Sequence, residues 1–152
     1  MIKAVTDNSE VIKLWSEAFG DSKEEILFFI DNVNDSECIG YYFNNELASM
    51  LFLIKCRLNG VDSRYIYAAC TLNKYRSKGF MTKLIDYCKE KYDCLCLIPA
   101  SDGLISYYSE RGINNIAEIR DIKFNQSNEI KEYLFEGYKL TEPKALYYQG
   151  GK

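Results

Sequence analysis

The segment of residues 65–99 constrains the fold more than any other part of this sequence. A β-rich apolar run, residues 65–72, leads through the short basic turn 73–78 to Gly79, after which apolar residues recur at helical spacing. A second apolar run, residues 94–98, follows the predicted helix. Strand, helix and strand in this order predict a βαβ unit, whose right-handed crossover makes the two strands parallel.

The basic turn and Gly79 place a predicted anion site at the start of the crossover helix. A helix N-terminus has unpaired N–H groups and a partial positive charge, and a glycine lets a phosphate group approach the backbone without meeting a Cβ. Arg76 and Lys78 add positive charge. The alternative is a solvated basic turn before an ordinary helix. Two other phosphate-binding motifs, G-x-x-x-x-G-K-[ST] and G-x-G-x-x-G, are absent from the sequence.

Length and charge set the class of protein. The 152 residues predict one domain, residues 1–149, followed by a disordered tail at residues 150–152. The formal net charge of -3 argues against a general nucleic-acid binder, although a local basic patch stays open. The longest strongly apolar run, residues 50–54, is far shorter than the roughly 20 residues that cross a membrane. Since the N-terminus also lacks a signal-peptide core, we expect a soluble, cytoplasmic protein with no membrane partner.

The six cysteines indicate a reduced core rather than disulfides or a metal site. The sequence has no C-x-x-C motif and no histidine, and every cysteine lies in or beside an apolar run: Cys38, Cys56, Cys70, Cys88, Cys94 and Cys96. We therefore expect small buried side chains and no metal. The absence of histidine also excludes Ser-His-Asp and Cys-His catalysis, so any chemistry uses carboxylates, tyrosines, cysteines, backbone groups or water.

Two amphipathic helices are predicted before the first long strand. Apolar residues recur at helical spacing over residues 8–19, with Asn8 or Ser9 as the expected cap. Asp21 or Ser22 is expected to cap the second helix. Most of the large apolar side chains on both helices are expected to be buried against the sheet.

The strands predict a mixed α/β fold with a largely antiparallel sheet around the βαβ unit. Turn residues at 44–46 and at Asn59-Gly60 connect three β-rich runs into an antiparallel meander. The other predicted elements are strands 38–43 and 47–58, a short helix that runs to Arg111, strand 117–124, helix 129–135 and strand 145–149.

One segment resembles the cofactor loop of a known family. Residues 75–81, Tyr-Arg-Ser-Lys-Gly-Phe-Met, resemble the loop that binds the pyrophosphate of acetyl-CoA in the GCN5-related N-acetyltransferases (GNAT). The usual form of that loop is Gln/Arg-x-x-Gly-x-Gly/Ala. Arg76 and Gly79 match it, whereas Met81 stands where the family has a small residue.

A second segment resembles another motif of the same family. Residues 106–113 are similar to a helix that ends in Tyr-x-x-x-Gly-Phe, with Tyr108 and Gly112 at the matching positions and Ile113 in place of the usual Phe. The order of helices and strands agrees with the family over nearly the whole chain. Residues 14–21 look most similar to the Eis-like branch, whose members are longer and carry further domains.

The resemblance implies a GNAT acyl-CoA N-acyltransferase fold and an N-acetyltransferase. Such an enzyme transfers the acetyl group of its cosubstrate acetyl-CoA to a primary amine by direct attack in a ternary complex. The pantetheine arm would pair with strand 65–72, residues 68–71 would line the acetyl group, and an N–H near Cys70 or Thr71 would polarise the thioester carbonyl. Tyr108 would be the general acid. The implied cofactor-binding residues are Ala69, Cys70, Thr71, Arg76, Ser77, Lys78, Gly79, Phe80, Met81 and Ser101.

Several points stay open at the level of the sequence. Ser101 either contacts the cofactor or caps the helix that follows, and Cys70 as an acyl-carrying nucleophile would need a lowered thiol pKa, for which no adjacent residue provides a cause. The acceptor is a small-molecule or peptide amine, the base is a carboxylate, a water chain or none, and a homodimer is one alternative for the assembly. The rival function is a non-catalytic acetyl-CoA or CoA-binding module used for sensing or assembly, which Met81 slightly favours.

Overall fold

The structure is a computed structural model that describes residues 1–150. Its five α-helices are α1 (Asn8–Phe19), α2 (Lys23–Asn32), α3 (Phe80–Lys91), α4 (Gly103–Ser109) and α5 (Asn128–Leu134). Its eight strands are β1 (Ile2–Ala4), β2 (Ser36–Phe43), β3 (Glu46–Leu58), β4 (Val61–Thr71), β5 (Cys94–Leu97), β6 (Asn115–Ala117), β7 (Ile122–Phe124) and β8 (Ala145–Gln149). The strands form a mostly antiparallel sheet, which confirms the predicted mixed α/β class. Of the predicted tail, residues 151–152 lie outside the described residues, and the backbone N–H of Gly150 donates to the carbonyl of Asp93 at 2.7 Å.

The first two helices begin at side-chain caps. The Asp7 carboxylate accepts a hydrogen bond from the Ser9 N–H at 2.9 Å, so Asp7 caps α1. The prediction of Asn8 or Ser9 as the cap was wrong, because both residues already lie inside the helix. Ser22 caps α2 as predicted, and it forms a reciprocal capping box with Glu25.

The chain divides into two compact units, and the first comprises residues 1–54 and 67–85. Here β1 pairs antiparallel with β2, and β2 pairs antiparallel with β3, as the hairpin signal at residues 44–46 predicted. The buried faces of α1 and α2 contribute Trp15 and Phe29, whose ring centroids lie 5.3 Å apart. Phe52 of β3 contacts both rings, at centroid distances of 5.8 Å and 4.9 Å. This aromatic cluster joins the helix pair to the sheet.

The second unit comprises residues 55–66 and 86–152. Here β4 pairs parallel with β5, with Arg64 opposite Leu95 and Tyr65 opposite Cys96, which confirms the predicted βαβ connection. Strand β5 then pairs antiparallel with β8, and β8 with β6. Strands β3 and β4 and helix α3 each contribute residues to both units.

The predicted strand 117–124 was wrong. The segment forms the end of β6, a 3₁₀ turn at Ile119–Asp121 and the separate strand β7. The two strands have different partners: β6 pairs with β8, whereas β7 pairs with the end of β3, Cys56 lying opposite Phe124. Apolar residues alternate on both sides of the turn, but the adjacent polar residues Arg120 and Asp121 shift the alternation by one residue, which was the available signal for two separate strands.

All six cysteines are free and buried, as predicted. The Sγ atoms of Cys56 and Cys96 lie 3.6 Å apart, and burial raises the pKa of the Cys38 thiol to about 12. These side chains therefore pack as uncharged groups in the core. Within residues 1–150, no helix is long and apolar enough to cross a membrane.

Candidate functional site

The second half of β4 departs from regular strand geometry. Ala68 has a φ of 53°, in the left-handed region that a non-glycine residue seldom adopts. Backbone of this kind persists only where its surroundings hold it, and it is concentrated at ligand sites. Alanine gives no sequence signal for this conformation, so the sequence predicted the small side chains of residues 68–71 but not the change in backbone direction.

Ser49 braces the same part of β4 from β3. Its side chain is fully buried, and its hydroxyl lies 3.2 Å from the Cys70 carbonyl, to which it donates, and 2.8 Å from Thr71 Oγ1. A buried hydroxyl is retained where it satisfies specific polar partners. Ser49 was not among the predicted site residues, although a lone polar residue in the apolar run of residues 47–54 was the available signal.

After β4 the chain forms a short turn and an exposed loop. The 3₁₀ turn Asn73–Tyr75 is held to α1, because the Asn73 N–H donates to the Glu17 carboxylate at 2.8 Å. Residues 76–79 are exposed. Ser77 and Gly79 both have left-handed backbone, with φ values of 63° and 81°. A Cβ added at Gly79 would meet no atom within 4 Å, so the backbone conformation, not crowding, favours glycine here.

The exposed loop leads directly into the start of α3. The first helical hydrogen bond there runs from the Lys83 N–H to the Gly79 carbonyl at 3.1 Å. In the described part of the chain, the N–H groups of residues 79–81 donate to no backbone carbonyl, whereas Arg76 and Ser77 lie in a hydrogen-bonded turn. The exposed cations Arg76 and Lys78 lie beside them in sequence, so the loop keeps the features of the predicted anion site, which stays a prediction.

The first two side chains of α3 point into the core. Phe80 and Met81 are each 7% exposed, and the Phe80 ring stacks on Tyr41 with a centroid distance of 4.3 Å. Met81 therefore does not place its long side chain on the exposed face of the loop. The side chain that departs from the family pattern is therefore packed in the core of the first unit.

Glu46 ties the turn before the loop to α1. Its carboxylate accepts hydrogen bonds from Lys74 at 2.8 Å, from Lys13 at 3.1 Å and from the Tyr75 hydroxyl at 3.0 Å. These bonds, led by the one from Lys74, lower the pKa of Glu46 from 4.5 to about 2. The carboxylate is therefore charged at neutral pH and holds both lysines at this edge.

We expect the free energy of unfolding to fall less steeply below pH 4.5 in Glu46→Gln than in the native chain. Because the pKa is lowered in the folded state, the contribution of Glu46 is full above pH 4.5 and is lost as the pH falls towards about 2. Urea unfolding midpoints measured between about pH 6 and pH 3 should fall less in the variant than in the native chain. The matched control is Glu90→Gln at an exposed position of α3. An equal fall of the unfolding midpoint with pH in the native chain and in Glu46→Gln would contradict this role of Glu46.

The Cys70 thiol is unsuited to nucleophilic attack. Its side chain is 8% exposed, and burial raises its pKa well above the ordinary range of a thiol. Arg76 opposes this shift only weakly. Since the thiolate is the nucleophile, a buried neutral thiol is inert.

We therefore expect no acetyl group on Cys70 when the protein is mixed with acetyl-CoA in the absence of an amine. The intact mass measured by mass spectrometry should stay unchanged, and iodoacetamide near pH 8 should label Cys70 only after urea is added. An acetyl adduct that disappears in Cys70→Ala would contradict the direct-attack route and support a covalent one.

Tyr108 lies in the second unit, on α4. Its side chain is 9% exposed and meets the Tyr107 ring edge to face at 5.2 Å. Its carbonyl accepts from the N–H groups of Arg111 and Ile113, both at 3.0 Å, which closes the helix just before the fully buried Ile113. These contacts hold the Tyr-x-x-x-Gly segment against the core of this unit.

Ser101 also lies in the second unit and is exposed. The cap of α4 is Asp102, whose carboxylate accepts from the Thr141 N–H at 3.0 Å. The alternative in which Ser101 caps this helix was therefore wrong, although its carbonyl accepts from the Leu104 N–H at 3.1 Å. Contact between Ser101 and the cofactor stays a prediction. The first unit thus brings residues 69–81 together, while Ser101 and Tyr108 belong to the second.

Solved structures share this fold at low sequence identity. A GNAT family acetyltransferase from Elizabethkingia anophelis with acetyl-CoA bound has a TM-score of 0.64 and 20% identity, covering 98% of this chain and 97% of that one. The Bacillus subtilis acetyltransferase in complex with CoA has a TM-score of 0.63 and 22% identity, covering 97% of each chain. A probable N-acyltransferase from Enterococcus faecalis has a TM-score of 0.58 and 21% identity; the match covers 74% of this chain but only 31% of that longer one.

The family itself is shown by sequence. No curated protein matches the chain. The family model of the acetyltransferase (GNAT) domain matches residues 4–114, which include both motif segments. The Eis-like branch stays a prediction. Since this match covers most of the 152 residues, the chain belongs to the GNAT acetyltransferase family.

Proposed function

We propose that this protein is an acetyl-CoA-dependent N-acetyltransferase that acetylates a primary amine by direct attack in a ternary complex. The observation that carries the proposal is the exposed basic loop at the start of α3, with Gly79 in left-handed backbone, in a chain of the GNAT family. Two structural neighbours contain CoA or acetyl-CoA.

The residues of the first unit fit the diphosphate of acetyl-CoA. The N–H groups of residues 77–81 would donate to its oxygens, and Arg76 and Lys78 would add charge at close range. The pantetheine amides would pair with the second half of β4, which Ser49 braces. The cosubstrate supplies an acetyl group activated as a thioester.

Tyr108 would supply the proton that the leaving sulfur requires. A tyrosine hydroxyl keeps its proton at neutral pH, since its ordinary pKa is about 10, and it can donate that proton to the sulfur beside it as the carbon–sulfur bond breaks. The surroundings of Tyr108 support this role, because the side chain is held nearly buried by α4 and by Tyr107. In the balanced reaction the amine nitrogen bonds to the acetyl carbon, the carbon–sulfur bond breaks, the sulfur gains a proton and the amine loses one.

The test measures release of free thiol from acetyl-CoA with a panel of small-molecule and peptide amines. We expect amine-dependent thiol release together with an acetylated amine detected by mass spectrometry. If calorimetry shows that acetyl-CoA binds but no amine in the panel releases thiol, the enzyme proposal is wrong and the protein is a CoA-binding module. If acetyl-CoA neither binds nor raises the melting temperature, both functions are excluded.

A further inference from the structure

A cavity of about 690 Å³ lies in the second unit, among residues 118–143. This volume is within the roughly 300–1,000 Å³ typical of sites for small molecules. The 3₁₀ turn Ile119–Asp121, β7, α5 and the chain beyond α5 form its walls. None of the residues predicted to bind acetyl-CoA lines it, so the cavity is available to a different ligand.

Three of the residues that line the cavity are aromatic. Phe124 of β7 is 5% exposed, and its ring centroid lies 5.3 Å from that of Phe135, which follows α5. The Tyr138 side chain lines the same space. Rings in this arrangement favour a ligand with an apolar or aromatic body.

The charged residues that line the cavity are mostly basic. They comprise Arg120, Lys123 and Lys131, with Glu118 as the one acidic residue. The Glu118 carboxylate is already paired with Lys144 at 2.6 Å. Within residues 1–150, no carboxylate forms an ion pair with any of the three lining cations.

This excess of positive charge is local to the cavity. The segment of residues 118–143 is acidic in sum, as is the whole chain at a net charge of -3. The acidic residues of the segment that do not line the cavity are Asp121, Glu129, Glu132, Glu136 and Glu142. The cavity thus combines three cations with aromatic residues. The Arg120 charge also acts on the Glu118 carboxylate, and Lys123 and Lys131 add further positive charge, which creates a local field that attracts anions.

We propose that this cavity binds a small carboxylate with an aromatic or apolar body. Arg120, Lys123 and Lys131 contact the carboxylate, and Phe124 and Phe135 contact the body. The site belongs to the second unit alone and needs no acetyl-CoA, so it stands independently of the proposed acetyltransferase activity.

The first test is a calorimetric titration of the full chain with 3-phenylpropionate and, separately, with its neutral amide. We expect the carboxylate to bind at least about tenfold more tightly than the amide, because the two compounds differ chiefly in charge. Added salt should weaken binding of the carboxylate. No binding of the carboxylate, or equal binding of the amide, would overturn the proposal.

A second test uses the double variant R120Q/K123Q. Both positions are exposed, so the melting temperature should be retained. Loss of two partly screened charges should weaken binding of 3-phenylpropionate about tenfold. The matched control is Lys139→Gln, an exposed lysine of the same segment that does not line the cavity. Undiminished binding by the double variant, or an equal loss in the control, would overturn the proposal.

Discussion

Tyr108→Phe is expected to lower kcat for acetyl transfer about a hundredfold, with little change in the KM for acetyl-CoA. General acid catalysis typically contributes 10²–10⁴-fold, and the substitution removes the hydroxyl proton while keeping the ring. The Tyr108 ring is nearly buried and packs against Tyr107, so phenylalanine retains that contact and the fold. Steady-state kinetics that resolve kcat from KM check the expectation.

The matched control is Tyr107→Phe. Tyr107 is the neighbouring tyrosine on α4, and its ring lies under the Arg111 guanidinium at 3.6 Å. It lies in the same helix and loses the same atom, so a general effect of removing a hydroxyl from α4 would appear in both variants. An unchanged kcat in Tyr108→Phe, or an equal fall in Tyr107→Phe, would eliminate Tyr108 as the acid.

Gly79→Ala is expected to weaken the binding of acetyl-CoA about tenfold. A non-glycine residue in left-handed backbone costs about 1–2 kcal/mol, and the φ of 81° at Gly79 is the conformation that turns the loop into α3. If the loop relaxes to avoid this cost, the N–H groups of residues 77–81 change their positions relative to the bound diphosphate. Calorimetric titration with acetyl-CoA measures the change in Kd.

Gly20→Ala separates loss of the site from loss of stability. Gly20 has a φ of 74° and also shows no atom within 4 Å of an added Cβ, so its substitution carries a similar backbone cost. It lies at the end of α1 rather than in the loop. Both variants should lower the unfolding free energy by similar amounts, and only Gly79→Ala should weaken binding. Equal affinities for acetyl-CoA in the two variants would refute the role of the loop.

The sequence predicted correctly those helices, strands and turns that have a strong local signal. Helical spacing after Gly79, the Asn59-Gly60 turn and the apolar run at residues 94–98 predicted α3, the β3–β4 turn and β5. The same signals underlie the proposed anion site, because a helix N-terminus and a glycine are local features.

Features that depend on residues far apart in the chain were not predicted from the sequence. Residues 122–124 were predicted as strand, but β7 is separate from β6 because it pairs with β3, more than sixty residues earlier in the chain. The short β1 was not predicted, and it pairs with β2. The left-handed Ala68 and the buried Ser49 depend on packing between β3 and β4, for which alanine and serine carry no local preference. The cavity at residues 118–143 was not predicted either, because its lining residues come from separate elements. The segment is acidic in sum, whereas the charged residues that line the cavity are mostly basic.

Backbone amide chemical shifts during titration with acetyl-CoA test whether the loop before α3 binds the diphosphate. We predict that the amide signals of residues 77–81 move most, since these N–H groups lie at the start of α3 and are expected to donate to the diphosphate. Signals of the α5 segment, Asn128–Leu134, should remain in place. Saturable binding that leaves the amide signals of residues 77–81 unshifted would show that acetyl-CoA binds elsewhere and would contradict the proposed diphosphate site.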